Sequence, residues 1–144
     1  MSRLEEAMKP ILTPLILGKS TIIPSSAQSG LARWITLKVM VGEQNSPENA
    51  VFTQNQRDQF RALLLVPPQI KIWIADCGQG GWQTGYVRES GIMSLPEPDK
   101  HPTTLEHHNV AVTTFGIGGL LVHARTSNAE GVDFEEYIRL PRRL

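Results

Sequence analysis

Apolar residues recur along this chain with two different periods, and the change falls at Pro67-Pro68. Before that pair they return every three to four residues, the spacing of one helix face. Leu4, Met8, Ile11, Leu12 and Leu15 form the first such set, with Ser2 and Glu5 placed ahead of it as a capping box. Pro10 and Pro14 oppose a straight helix, because each removes a backbone donor and crowds the preceding turn. The expectation is a kinked helix, or two short ones, ended by Gly18. Ala27, Leu31, Trp34, Ile35 and Val39 form a second set, with Ser25 or Ser26 as its cap and Gly42 as its end. "EQNSPEN" reads as a polar loop. Thr53 and Gln56 make another capping box and open a third helix running through Leu64. Pro67-Pro68 closes it, since proline disfavours helix in the residue before it.

Beyond the prolines the period becomes two. "IKIWIAD" alternates Ile70, Ile72 and Ile74 with Lys71, Trp73 and Ala75, the pattern of a half-buried strand. "CGQGG" reads as a turn. "WQTGYVRESGIM" reads as a second strand, with Gly85 or Gly91 as bulge positions. A proline-rich loop follows, then a third strand "NVAVTTFGI", a turn at Gly118-Gly119 and a fourth strand "LLVHAR". "VDFEEYIRL" reads as a last edge strand. Helices first and strands afterwards predict an α+β fold, with N-terminal helices packed on one face of a 4–5-stranded antiparallel sheet. The chain reads as a single domain, residues 1–144, helical over about 1–66 and sheet over about 69–144.

Composition narrows the function classes. Fourteen basic and fourteen acidic residues cancel, so global charge offers no argument for nucleic acid or an anionic membrane. The one cysteine, Cys77, allows no internal disulfide and no cysteine zinc cluster. "PILTPLILG" is too short to span a bilayer and contains two prolines. These features predict a cytoplasmic protein that makes no use of a membrane.

Most local motifs fail on inspection. "LILGKST" ends like a phosphate-binding loop, but that loop needs a glycine where Thr13 stands and a strand where the helical pattern lies. "GQGG" and "GIGG" are not dinucleotide loops, and hairpin turns explain them better. His101, His107 and His108 share one loop with Asp99 and Glu106, yet their spacing matches no ligand motif, so no metal is expected. Cys77 with His123 as its base would make a nucleophile, but an isolated cysteine usually packs as a small hydrophobe. No catalytic residue and no cofactor are predicted. The one surface candidate is a basic and aromatic mixture on the strands: Lys71 with Trp73, Tyr86 with Arg88, and His123 with Arg125. If those faces align, the sheet offers stacking rings and phosphate-seeking cations. An ordinary amphipathic sheet, with Trp73 packed under a loop or a dimer partner, is the competing reading.

One resemblance adds to this. "MSRLEEAMKPILTPLILGKST", "VPPQIKIWIADCG" and "TTFGIGGLLVHAR" resemble the region that follows the zinc-binding motif in bacterial and phage HNH endonuclease-like proteins. The shared positions are structural: Pro10, Pro14, Gly18, Pro67, Pro68, Trp73 and Gly118. The nuclease motif itself has no counterpart in this chain, so the resemblance implies an accessory region and carries over no catalytic residue. It places the chain with nucleic-acid-processing proteins or mobile genetic elements.

Two functions follow as expectations. The first is a non-catalytic accessory or interaction module, partnered by another protein or by nucleic acid and forming a homodimer. The dimer is expected because a sheet covered by helices on one face presents Trp73 and Tyr86 on the other. The second is a small-molecule-binding protein or cryptic enzyme with a cleft between helices and sheet.

Overall fold

The computed structural model describes residues 3–77, 84–94 and 107–131. Three helices precede four strands: α1 Arg3–Ile16, α2 Ser25–Gly42, α3 Gln54–Leu63, β1 Ile70–Asp76, β2 Thr84–Gly91, β3 Val110–Ile117 and β4 Leu120–Ser127. The strands form one antiparallel sheet in the order β1-β4-β3-β2. The helices pack on one face of it, so the fold is α+β. No helix among the described residues is long and apolar enough to cross a membrane.

Local chemistry explains most element ends. α1 is one helix that contains both prolines, rather than two short ones. It stops where Gly18 turns left-handed at φ +66, and the Gly18 and Lys19 amides cap the last carbonyls, of Leu15 and Pro14. This is a helix C-terminus, so its dipole opposes a phosphate. α2 begins with Pro24 at the N-cap, a residue with no side-chain acceptor, so Ser25 and Ser26 lie inside the helix and neither is the cap. α2 does end at Gly42, but without a left-handed turn: the chain stays right-handed there and runs into two short 3-10 turns, Glu43–Asn45 and Pro47–Asn49. At α3 the expected box forms, with Thr53 Oγ1 accepting from the Gln56 amide and Gln56 Oε1 accepting from the Thr53 amide. Ser2 and the segment from Val132 onward, where a last strand was expected, lie outside the described residues.

β2 and β3 pair without interruption from Thr84 opposite Ile117 to Gly91 opposite Val110, so neither Gly85 nor Gly91 is a bulge. Ile70, Ile72 and Ile74 of β1 turn toward the helices, with Val122 and Ala124 of β4 and Phe115 of β3. There they meet Met8, Leu12, Leu31, Trp34, Ile35 and Val39, and Trp34 lies edge-on to Phe115 at 6.3 Å between ring centres. α1 crosses α2 at Gly30, where a Cβ would stand 2.5 Å from the Met8 sulfur.

The end of α1 is locked to the hairpin between β3 and β4. The Gly119 amide donates to the Ile16 carbonyl at 2.8 Å. Gly118 is left-handed, and a Cβ on it would fall 2.2 Å from that same carbonyl oxygen. The glycines of "GIGG" therefore serve the turn and a backbone-to-backbone contact together.

Candidate functional site

The cross-strand register decides which of the proposed residues share a face. Trp73 lies opposite His123, and Lys71 lies opposite Arg125. These four stand on the face that carries no helix among the described residues. Tyr86 lies opposite Phe115, and Arg88 lies opposite Thr113, both on the helix-covered face. The six residues therefore do not form one surface, and Tyr86 is not part of the open face on which a dimer was expected.

On the helix side, Arg88 enters a buried ionic cluster. Glu43, fully buried, closes it. Its carboxylate accepts from the Arg57 guanidinium, from Arg88 at 3.0 Å, and from the Val51 and Phe52 amides at 3.0 and 3.3 Å. Arg57 also donates to the Met40 carbonyl and Arg88 to the Asn49 carbonyl. The end of α2, α3 and β2 are thus tied at one carboxylate. Such a cluster is costly to break, because removing one member leaves buried charge uncompensated. Tyr86 lies beside it, its hydroxyl in the space that a Gly42 side chain would need. Burial raises the phenol pKa above its ordinary 10.0, outweighing the nearby Arg88, which lowers it. Arg88 is therefore a structural cation and not a phosphate-seeking one. Nothing in the sequence marked Glu43 as its partner, since an acid in "EQNSPEN" reads as solvent-exposed.

On the open face the geometry is tight. Arg125 stacks on Trp73, its guanidinium carbon 5.0 Å from the ring centre, and His123 tilts against the same ring at 5.8 Å. Arg125 Nε donates to His123 Nε2 at 3.1 Å, and His123 Nδ1 faces Thr114 Oγ1 at 2.9 Å. An arginine can only donate, so His123 Nε2 is the acceptor and its proton sits on Nδ1. Burial, and next the Arg125 charge, hold the His123 pKa below 6.5. Arg125 is only 7% exposed, whereas Trp73 keeps 42% of its surface open.

Both His123 nitrogens are thus engaged away from Cys77. That thiol lies on the same face near Gly116, exposed and unbridged. His108 bonds through Nδ1 to Ser90 Oγ at 2.7 Å, and His101 lies outside the described residues. Among the described residues, no three His, Cys, Asp or Glu side chains are grouped to hold a metal.

Comparison with known proteins leaves this geometry as the main guide. No family model matches the chain. No solved structure matches it either. The chain is 27% identical over 134 residues to serine/threonine-protein kinase GIN4 of Saccharomyces cerevisiae, a match covering 91% of this chain and 11% of the kinase. A stretch so short relative to that protein does not carry the kinase activity across. The catalytic triplets His-Arg-Asp and Asp-Phe-Gly, which hold the base and the magnesium in protein kinases, occur nowhere in these 144 residues.

Proposed function

We propose that the chain is a non-catalytic interaction module that pairs with a second copy through the sheet face that carries no helix among the described residues. One observation carries the reading: the cross-strand rows of that face are self-complementary. One row runs Lys71, Arg125, Val112, Glu89 from β1 to β2, and the next runs Trp73, His123, Thr114, Val87. Turning a second copy about an axis parallel to the strands lays β1 of each over β2 of the other. Lys71 then faces Glu89, and Trp73 faces Val87, which is 63% exposed. One patch serves both copies, as a two-fold contact requires. Four strands spaced about 4.8 Å apart and about 24 Å long bury on the order of 1,000 Å² in total, the size of a dissociable contact.

The same face suits nucleic acid less well. Arg125 is spent on Trp73 and His123, and Glu89 adds an exposed negative charge. The HNH resemblance supports an accessory role beside an enzyme carried elsewhere, and the pairing gives that role a geometry.

Sedimentation equilibrium over a hundredfold concentration range tests the reading. Wild type should dissociate on dilution, and Trp73→Ala should weaken pairing. Lys71→Glu and Glu89→Lys should each pair poorly alone but associate when mixed, because the mixture restores both opposite-charge contacts. A single-chain mass throughout, or saturable binding of a single-stranded oligonucleotide abolished by Trp73→Ala, would overturn the proposal.

A further inference from the structure

We propose that His123 is a proton-controlled latch on this face: its neutral Nε2 holds Arg125 over Trp73, and protonation there releases Arg125 and recharges the surface. The argument is one of donors and acceptors. Arg125 Nε has an N–H to give and His123 Nε2 has a lone pair to take it, at 3.1 Å. His123 Nδ1–H is directed at Thr114 Oγ1, so the ring is held from both sides in a single tautomer. A proton added to Nε2 sets N–H against N–H and places a second full charge beside the guanidinium. Among the described residues facing it on the neighbouring strands, no carboxylate offsets it. β1 contributes Lys71, another cation, and farther along Cys77; β3 contributes Val112 and Thr114, which do not ionise near neutrality. Glu89 stands two strands away in the Arg125 row. The lowered pKa of His123 agrees with this environment.

Release has two consequences. Trp73 loses the cation stacked on its ring, and each copy gains a positive charge close to the middle of the sheet face. The second consequence rests on the reading of this face as the pairing surface. There, like charges on facing sheets about 10 Å apart should weaken association on the order of tenfold.

The test separates the two. In dilute protein, the Arg125 Nε–H signal and the fluorine signal of 5-fluorotryptophan at position 73, assigned with Trp73→Phe, are followed with the His123 ring signals from about pH 7.5 to about pH 5. All three should move with one midpoint. His123→Gln offers an oxygen acceptor that does not titrate, and it should keep Arg125 in place across the range. If His123 titrates while Arg125 and Trp73 stay still, the latch is refuted whatever the oligomeric state. If the three move together and sedimentation shows one chain at every pH, the latch stands and the pairing proposal falls.

Discussion

Replacing Gly119 with alanine should destabilise the protein more than the same change at Gly18 or Gly85, and for a steric reason, since Gly119 is not among the glycines at positive φ. A Cβ at 119 would lie 2.5 Å from Gly18 Cα, 2.8 Å from Gly18 N and 3.1 Å from the Leu15 carbonyl oxygen. All three are backbone atoms and cannot rotate aside. Relief requires the end of α1 to lift from the hairpin, which also strains the Gly119–Ile16 hydrogen bond. Overpacking of this kind costs about 1–3 kcal/mol. A weakened hydrogen bond adds about 1 kcal/mol. The sum, about 2–4 kcal/mol, is a large fraction of a typical folding free energy of about 5–15 kcal/mol. Two controls isolate the cause. Gly18→Ala meets nothing closer than 4.0 Å but must hold φ +66, a conformational cost of about 1–2 kcal/mol. Gly85→Ala meets nothing within 4 Å and should be neutral or stabilising by up to about 1 kcal/mol. Urea unfolding followed by circular dichroism, with the slope checked for constancy, ranks the three. If Gly119→Ala unfolds at the same midpoint as Gly85→Ala, the contact between α1 and the hairpin is not as described.

Three further outcomes are expected. Glu43→Gln should cost about 3–5 kcal/mol in the same assay, because two arginines lose a buried counter-charge; a loss under 1 kcal/mol would show the cluster to be dispensable. Leu64, the one non-glycine described at positive φ (52), caps α3, so Leu64→Asn should raise stability by up to about 1 kcal/mol; a clear decrease in the unfolding midpoint would refute this. His123 has a folded pKa below its unfolded value of 6.5, so its contribution is complete above 6.5 and is lost as pH falls through the folded pKa; unfolding midpoints across that window should fall less steeply for His123→Gln than for wild type.

The four strands and the α3 capping box were legible because each rests on local chemistry. Ile70, Ile72 and Ile74 specify a buried side by alternation, and Thr53 with Gln56 specifies a helix start by reciprocal bonds. The face of β2 was not legible. "TGYVRESG" places polar or small residues on both sides, and without an apolar set a strand's register has no local signature. Its orientation depends on Arg88 reaching Glu43, a pairing across 45 residues. Lys71, Trp73, His123 and Arg125 could be grouped from sequence because β1 and β4 each have a clear apolar side. The Arg125–His123 bond, joining residues two apart on one strand, has no pattern to announce it.

The bonds between Gln56 and Asn128, and between Val51 and Asn128, span 72 and 77 positions. β1 finds its neighbour only after β2 and β3 have been passed over, since it pairs with β4. Long-range closure of this kind raises contact order, and with it the time a chain needs to reach its transition state. During synthesis the three helices therefore emerge with Trp34, Ile35 and Val39 exposed and wait for strands still being made. A mutation that slows sheet assembly would lengthen that wait, and would lower the yield of folded protein even if the finished structure were no less stable.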